Sequence, residues 1–141
     1  MNLAELLTDL SIHFNGIVRR SASRLNLTTS QAYLLLSIPP DGIPMSELAS
    51  KLELDNSTLT RNIQKLETVE LVIRQGDTYD KRVYKVFITP SGENTINELE
   101  ALLNETSLAI ADKLDLDVQN ALVEVLEKLV WSLDCISEEM L

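Results

Sequence analysis

The stretch Pro44-Met45-Ser46-Glu47-Leu48-Ala49-Ser50-Lys51-Leu52-Glu53-Leu54-Asp55-Asn56-Ser57-Thr58-Leu59-Thr60-Arg61-Asn62-Ile63-Gln64-Lys65-Leu66 decides the fold. Pro44 stands at or near a first helical position, where its missing N–H costs nothing, and opens a short helix over Ser46 to Leu52. Glu53-Leu54-Asp55 is a brief connection, and Asp55 or Asn56 can cap a second helix running to about Thr68. Two helices joined by so short a turn form a helix-turn-helix. Leu59, Ile63 and Leu66 recur at helical spacing and must face a core. At about 100° per residue the opposite face then carries Ser57, Arg61, Gln64 and Lys65, with Thr58 and Thr60 alongside.

Beyond Leu66 the period changes. Leu71-Val72-Ile73-Arg74 and Arg82 to Ile88 are rich in β-branched and aromatic residues, with turn residues Gln75-Gly76-Asp77-Thr78 between them, which predicts a two-stranded hairpin. Thr89-Pro90 supplies a cap and a first-turn proline for a long helix marked by Ile96, Leu99, Leu103, Thr106 and Ile110. After Asp115 to Asp117 a last helix runs through Val118, Leu122, Val125, Leu129, Leu133 and Ile136. Upstream, Leu3, Leu6, Leu7, Leu10, Phe14, Ile17 and Val18 mark an amphipathic helix from about Leu3 to Ser23. Thr28-Thr29-Ser30-Gln31 is a capping box ahead of a short apolar helix, Ala32 to Ile38, which Pro39-Pro40-Asp41-Gly42 ends. The expected fold is mainly α with a small β-hairpin wing, a winged helix-turn-helix over 28–89 flanked by helical regions over 1–27 and 90–141.

The 141 residues carry 12 basic and 22 acidic side chains, a formal net charge of −10. Because phosphate binding rests on Lys and Arg, that total argues against nucleic acid. The distribution reverses the argument. Residues 86–141 hold 2 basic and 12 acidic side chains, whereas Lys51, Arg61, Lys65, Arg74, Lys81, Arg82 and Lys85 all lie within residues 51–85. An anionic partner would dock on that block. Arg offers a bidentate fork to guanine, Gln can pair with adenine, and Ser and Thr hydroxyls reach bases or phosphates.

The residues Ser46-Glu47-Leu48-Ala49, Ser57-Thr58-Leu59-Thr60-Arg61, Leu66-Glu67, Leu71-Val72, Asp80-Lys81-Arg82 and Ile88-Thr89-Pro90-Ser91-Gly92 resemble the MarR (multiple antibiotic resistance regulator) family of winged-helix transcription factors, in order and over essentially the whole chain. The resemblance implies a homodimer held by the first and last two helices, with recognition helices in major grooves and Arg82 of each wing in a minor groove. Asp80 would hold the Arg82 guanidinium extended. The candidate DNA contacts are Ser57, Thr58, Thr60, Arg61, Gln64, Lys65, Arg74, Asp80, Lys81 and Arg82. The expected function is a transcriptional regulator, a repressor on a pseudo-palindromic site. The family also binds small aromatic or anionic effectors, for which His13, Arg20, Tyr33 and Trp131 are the candidate lining residues, although Tyr33 and Trp131 read more readily as core. The chain departs from many relatives at Val69 and Glu70, where a basic residue and Gly are common, so the recognition helix is expected to run on or end differently. Lys85 also stands where an apolar strand residue is common.

Three amphipathic helices around a compact winged helix have too little partner surface in one small chain, which independently calls for a second copy. The alternative function is a winged-helix protein–protein interaction module without DNA binding, favoured by the net charge. An enzyme is not implied, for want of a Cys/His or Ser/His arrangement or a phosphate-cradling glycine loop. His13 is the only histidine and Cys135 the only cysteine, so no metal site, cofactor or internal disulfide is expected, and Cys135 reads as a packed or half-buried thiol. No apolar run approaches the roughly 20 residues that cross a bilayer, and the first ten residues lack a basic lead and apolar block, so a soluble, cytoplasmic protein is expected.

Overall fold

The computed structural model describes residues 1–140; Leu141, the last residue of the expected C-terminal region, lies outside them. The elements are α1 (Leu3–Ser23), α2 (Thr29–Ser37), β1 (Ile43–Pro44), α3 (Met45–Lys51), α4 (Asn56–Thr68), β2 (Val72–Gly76), β3 (Tyr84–Ile88), α5 (Pro90–Ala111) and α6 (Leu116–Met140). They fall into two compact units, Met1–Leu103 and Asn104–Leu141.

Local chemistry sets the helix starts. The Thr28 hydroxyl accepts from the Gln31 amide N–H at 3.1 Å while the Gln31 side chain accepts from Thr28 N–H at 2.9 Å. This closed capping box starts α2 at Thr29, three residues before the expected Ala32. Asn2 and Glu5 form the same box at the head of α1. Pro44 is not the first helical residue of α3 but its cap, still extended at ψ 142°.

Three helices stop by one device. Leu27, Leu54 and Leu71 donate their amide N–H groups to Ala22, Ala49 and Leu66 at 2.9, 2.9 and 3.0 Å. Before each of these residues stands one in the left-handed region, Asn26 (φ 58°), Glu53 (φ 54°) or Glu70 (φ 63°). The absence of glycine therefore does not let α4 run on. Glu70 takes the strained conformation itself, and the adjacent Leu71, buried, anchors the stop.

The sheet has three strands, ordered β1-β3-β2 and antiparallel throughout, not the expected two. Ile43 pairs with Val86 and Pro44 with Lys85, which places Pro44 on the edge, where its missing donor is tolerated. The β2–β3 register runs from Val72 opposite Ile88 to Gly76 opposite Tyr84. Gln75 and Gly76 thus belong to the ladder, and the connection moves outward to Asp77–Val83. Lys85 lies on the strand face opposite buried Val86, beside Gln75 and Pro44, which reconciles a cation with this position.

Leu34, Leu35, Leu48, Leu59, Ile63, Leu66, Val72, Val86 and Leu99 are fully buried together with Val18 of α1. Each such aliphatic side chain stabilises the fold by about 1.5–3 kcal/mol relative to leaving it in water. Thr89 ties this core to α5. Its hydroxyl donates to Glu70 O at 2.6 Å and accepts from Gly92 N–H at 2.9 Å, while its own N–H donates to Leu71 O at 3.1 Å. A Cβ on Gly92 would strike the Leu71 carbonyl oxygen, so the Thr-Pro-Ser-Gly run is a junction that requires a bare fourth residue.

In the second unit, the Gln119 amide donates to Ala111 O at 2.7 Å and Leu114 O at 2.9 Å, which ties the first turn of α6 to the end of α5 and the turn that follows it. None of the described residues of α6 is buried, although Leu122, Val125, Val130, Trp131, Leu133 and Ile136 are apolar.

Candidate nucleic-acid interface

Helix α4 is positioned by Asp55. Its carboxylate accepts from the Thr58 amide N–H at 2.7 Å and from the Thr58 hydroxyl at 3.0 Å. These two hydrogen bonds, the backbone one foremost, hold the Asp55 carboxyl below its ordinary range. Of the two expected caps it is Asp55 that serves. The buried face is Leu59, Ile63 and Leu66, as the spacing requires, and Ser57, Arg61, Gln64 and Lys65 are exposed on the other side. Thr58 and Thr60 are half-buried. Thr58 is committed to its cap, and it also accepts from Arg61 Nη2 at 3.4 Å, which draws the guanidinium toward the helix N-terminus.

The wing tip is folded around Asp80. Asp77 N–H donates to Val83 O at 2.8 Å and Val83 N–H to Asp80 O at 3.0 Å, closing the loop. The Asp80 carboxylate accepts from Arg82 N–H at 3.1 Å, Arg82 Nε at 3.1 Å and Arg82 Nη2 at 3.3 Å. The Arg82 side chain, foremost, and its backbone N–H keep the Asp80 carboxyl below its ordinary range. The Arg82 side chain remains 89% exposed. The anticipated support of Arg82 by Asp80 is present, but Arg82 stands in the loop and not in a strand. Lys81 and Tyr79 are exposed beside it.

Arg74 is placed differently. It lies in β2, half-buried, and donates to Glu67 Oε1 of α4 from Nε at 3.0 Å and Nη2 at 2.9 Å. Its partner gave no signal in the sequence, because the contact joins the last turn of a helix to a strand across the left-handed turn at Glu70. Between the head of α4 and the wing runs a groove of about 340 Å³ lined by Ser46, Asn56, Thr60, Arg74, Arg82 and Tyr84 among others. Ser46, Asn56 and Tyr84 are additions to the sequence-derived set; only their placement in space reveals them. Here a polar, cationic rim joins helix and wing, an arrangement that can follow a phosphate backbone from one groove to the next.

The four residues considered for an effector pocket are spread over both units. His13 and Arg20 are exposed on α1, and Tyr33 is half-buried, donating to Asn15 Oδ1 at 3.3 Å. Trp131 is 69% exposed on α6, not core within the chain, and lines a shallow apolar groove with Val123, Leu126 and Val130. Cys135 is half-buried, as expected. No helix among the described residues is long and apolar enough to cross a membrane.

The sequence profile of the MarR family matches residues 27–84. A crystal structure of MarR superposes with a TM-score of 0.86 at 24% identity, covering 99% of this chain and 95% of that one. A MarR transcriptional regulator from Methanosarcina mazei Go1 gives 0.83 at 22% identity, covering 95% and 97%. The S. aureus MepR–DNA complex gives 0.74 at 18% identity, covering 94% and 98%. At these identities the structural likeness is one of fold. The profile match covers the segment that holds α2 to the start of β3, and the structural matches carry the same fold through nearly the whole chain: residues 27–84 match the MarR family, and the chain has the winged-helix fold of the solved MarR structures.

Proposed function

We propose that the protein is a transcriptional regulator that binds a pseudo-palindromic DNA site as a homodimer and represses by occupying it. The observation that carries the reading is the joint display of Arg61, Gln64 and Lys65 on the outer face of α4 and of Arg82 on a wing tip braced by Asp80. Arg61 and Gln64 suit base edges in the major groove, whereas the extended Arg82 suits the negative potential of a narrow minor groove. The solved MepR–DNA complex, a protein of this fold bound to DNA, supports carrying that use to this chain.

The dimer follows from surface chemistry. Helix α6 presents apolar side chains along 25 residues with none buried, and α1 exposes Leu3, Leu6, Leu10, Ile12 and Phe14. Apolar stripes of that extent mark an association surface, and a closed two-fold pair is the commonest way to cover one. Two recognition helices related by that axis call for half-sites about one helical turn apart. The acidic last 56 residues then lie outside the DNA-reading block.

Titration of a duplex selected from random sequence, at several salt concentrations, tests the reading. Wild-type binding is expected to saturate and to weaken with salt. Arg61→Ala should cost about 1–3 kcal/mol on the selected duplex if it reads a base. Arg82→Ala should reduce the salt slope by about one. Absence of binding at low salt rejects the regulator and leaves the protein-interaction module.

A further inference from the structure

We propose that Arg74 is a positioning residue and not a DNA contact: the Glu67–Arg74 ion pair sets the angle between α4 and the wing, so that both reach one duplex at once. The inference rests on the DNA-binding reading above and deepens it. It departs from the sequence expectation, which grouped Arg74 with the cations offered to DNA.

Three observations carry it. Arg74 Nε and Nη2 both point at Glu67 Oε1, at 3.0 and 2.9 Å, and the two side chains are only 28% and 30% exposed, whereas that of Arg82 is 89% exposed. The strand register puts Arg74 opposite fully buried Val86 and two residues after buried Val72, on the face of the sheet that meets the core. A guanidinium on that face requires a partner, and Glu67 supplies it. Finally, α4 and β2 are joined by only Val69, Glu70 and Leu71, with Glu70 in the left-handed region. The pair spans that turn from both arms, one side chain from the last turn of α4 and the other from the middle of β2. Any change of angle at the turn grows along the strands toward Arg82, so a small angular error there separates wing from groove while α4 stays seated.

Electrostatics makes the test decisive, because the two roles predict opposite signs for Glu67. If Arg74 touches phosphate, Glu67→Gln removes a nearby negative charge, frees the guanidinium and tightens binding. If the pair is a brace, Glu67→Gln weakens binding. Wild type, Glu67→Gln, Arg74→Gln and the double variant should be titrated with the tightest duplex recovered from a random pool, at four salt concentrations, with thermal melting to verify folding. These half-exposed polar exchanges retain side-chain volume, and Arg74→Lys, which keeps the charge but not the fork, serves as a second variant.

The expected result is that Glu67→Gln and Arg74→Gln each weaken binding by about three- to tenfold, and that the double variant is no worse than either alone. The salt slope should remain that of wild type in all of them, and Arg74→Lys should weaken binding despite its charge. Binding by Glu67→Gln that is equal to or tighter than wild type overturns the proposal, as does a slope lowered by about 0.9 in Arg74→Gln, the signature of one lost phosphate contact. Wild type that binds no duplex overturns the DNA-binding reading itself, a separate and recognisable failure.

Discussion

Helices α4 and α6 obey the same sequence rule and meet opposite fates. In α4, Leu59, Ile63 and Leu66 recur every three or four residues and are 0–1% exposed. In α6, Leu122, Val125, Leu133 and Ile136 recur in the same manner, yet no described residue of that helix is buried. Periodicity therefore tells which face of a helix leaves water, not which molecule covers it. For α4 the cover is the chain's own sheet and neighbouring helices; for α6 the proposed cover is a second copy. Charge divides along the same line, with seven of the cations around α4 and the wing and the acidic excess around α5 and α6.

The strongest way to break that comparison is to remove one side chain from each helix. Leu66→Ala should destabilise the chain by about 2–5 kcal/mol, at any protein concentration, because it opens a cavity in the protomer. Leu133→Ala should leave the first unit intact and lower the melting temperature only in a concentration-dependent manner, as loss of a subunit contact does. Chemical denaturation at two protein concentrations checks both, and equal concentration dependence in the two variants would erase the distinction. A smaller, opposite effect sharpens the protomer side. Glu70→Gly relieves a left-handed non-glycine residue and should stabilise by about 1 kcal/mol, read as a raised melting midpoint independent of concentration.

The smallest expected effect is on acid stability. Both Asp55 and Asp80 have carboxyl groups lowered from an ordinary value of 3.8, so their hydrogen bonds contribute fully above that pH and are lost as pH falls through the lowered values. Asp55→Asn and Asp80→Asn should each flatten the loss of stability in that acidic window, followed by far-ultraviolet circular dichroism. An unchanged acid profile would show that neither carboxylate couples to folding.

Much of this was legible in the sequence because it rests on local chemistry. The buried and exposed faces of α4 follow from three leucine-type positions, and the α2 and α5 starts follow from Thr28-Gln31 and Thr89-Pro90. What stayed hidden depends on distant neighbours. Ile43-Pro44 is too short to announce a strand, and only the approach of β3 makes it one. Gln75 and Gly76 have turn chemistry yet are held in the ladder opposite Lys85 and Tyr84, so the turn falls later than that chemistry suggests. Without glycine α4 is expected to run on or end differently, whereas a buried Leu71 and its bond to Leu66 hold Glu70 in the left-handed stop. Arg74 read as one more free cation because its partner lies across that same turn. In the candidate interface the outward face of α4, its Asp55 cap and the Asp80 partner of Arg82 follow from the sequence, and Glu67, the partner of Arg74, emerges only from geometry.

The central claim is that the exposed apolar faces of α1 and α6 and the cationic surface of α4 and the wing serve the same assembly, two chains on one piece of DNA. Analytical ultracentrifugation of the protein with its selected duplex, at a salt concentration that permits saturation, measures this directly. The account predicts a complex of two chains per duplex and a free protein that sediments as a dimer. A monomeric free protein, or a complex with one chain per duplex, would contradict it.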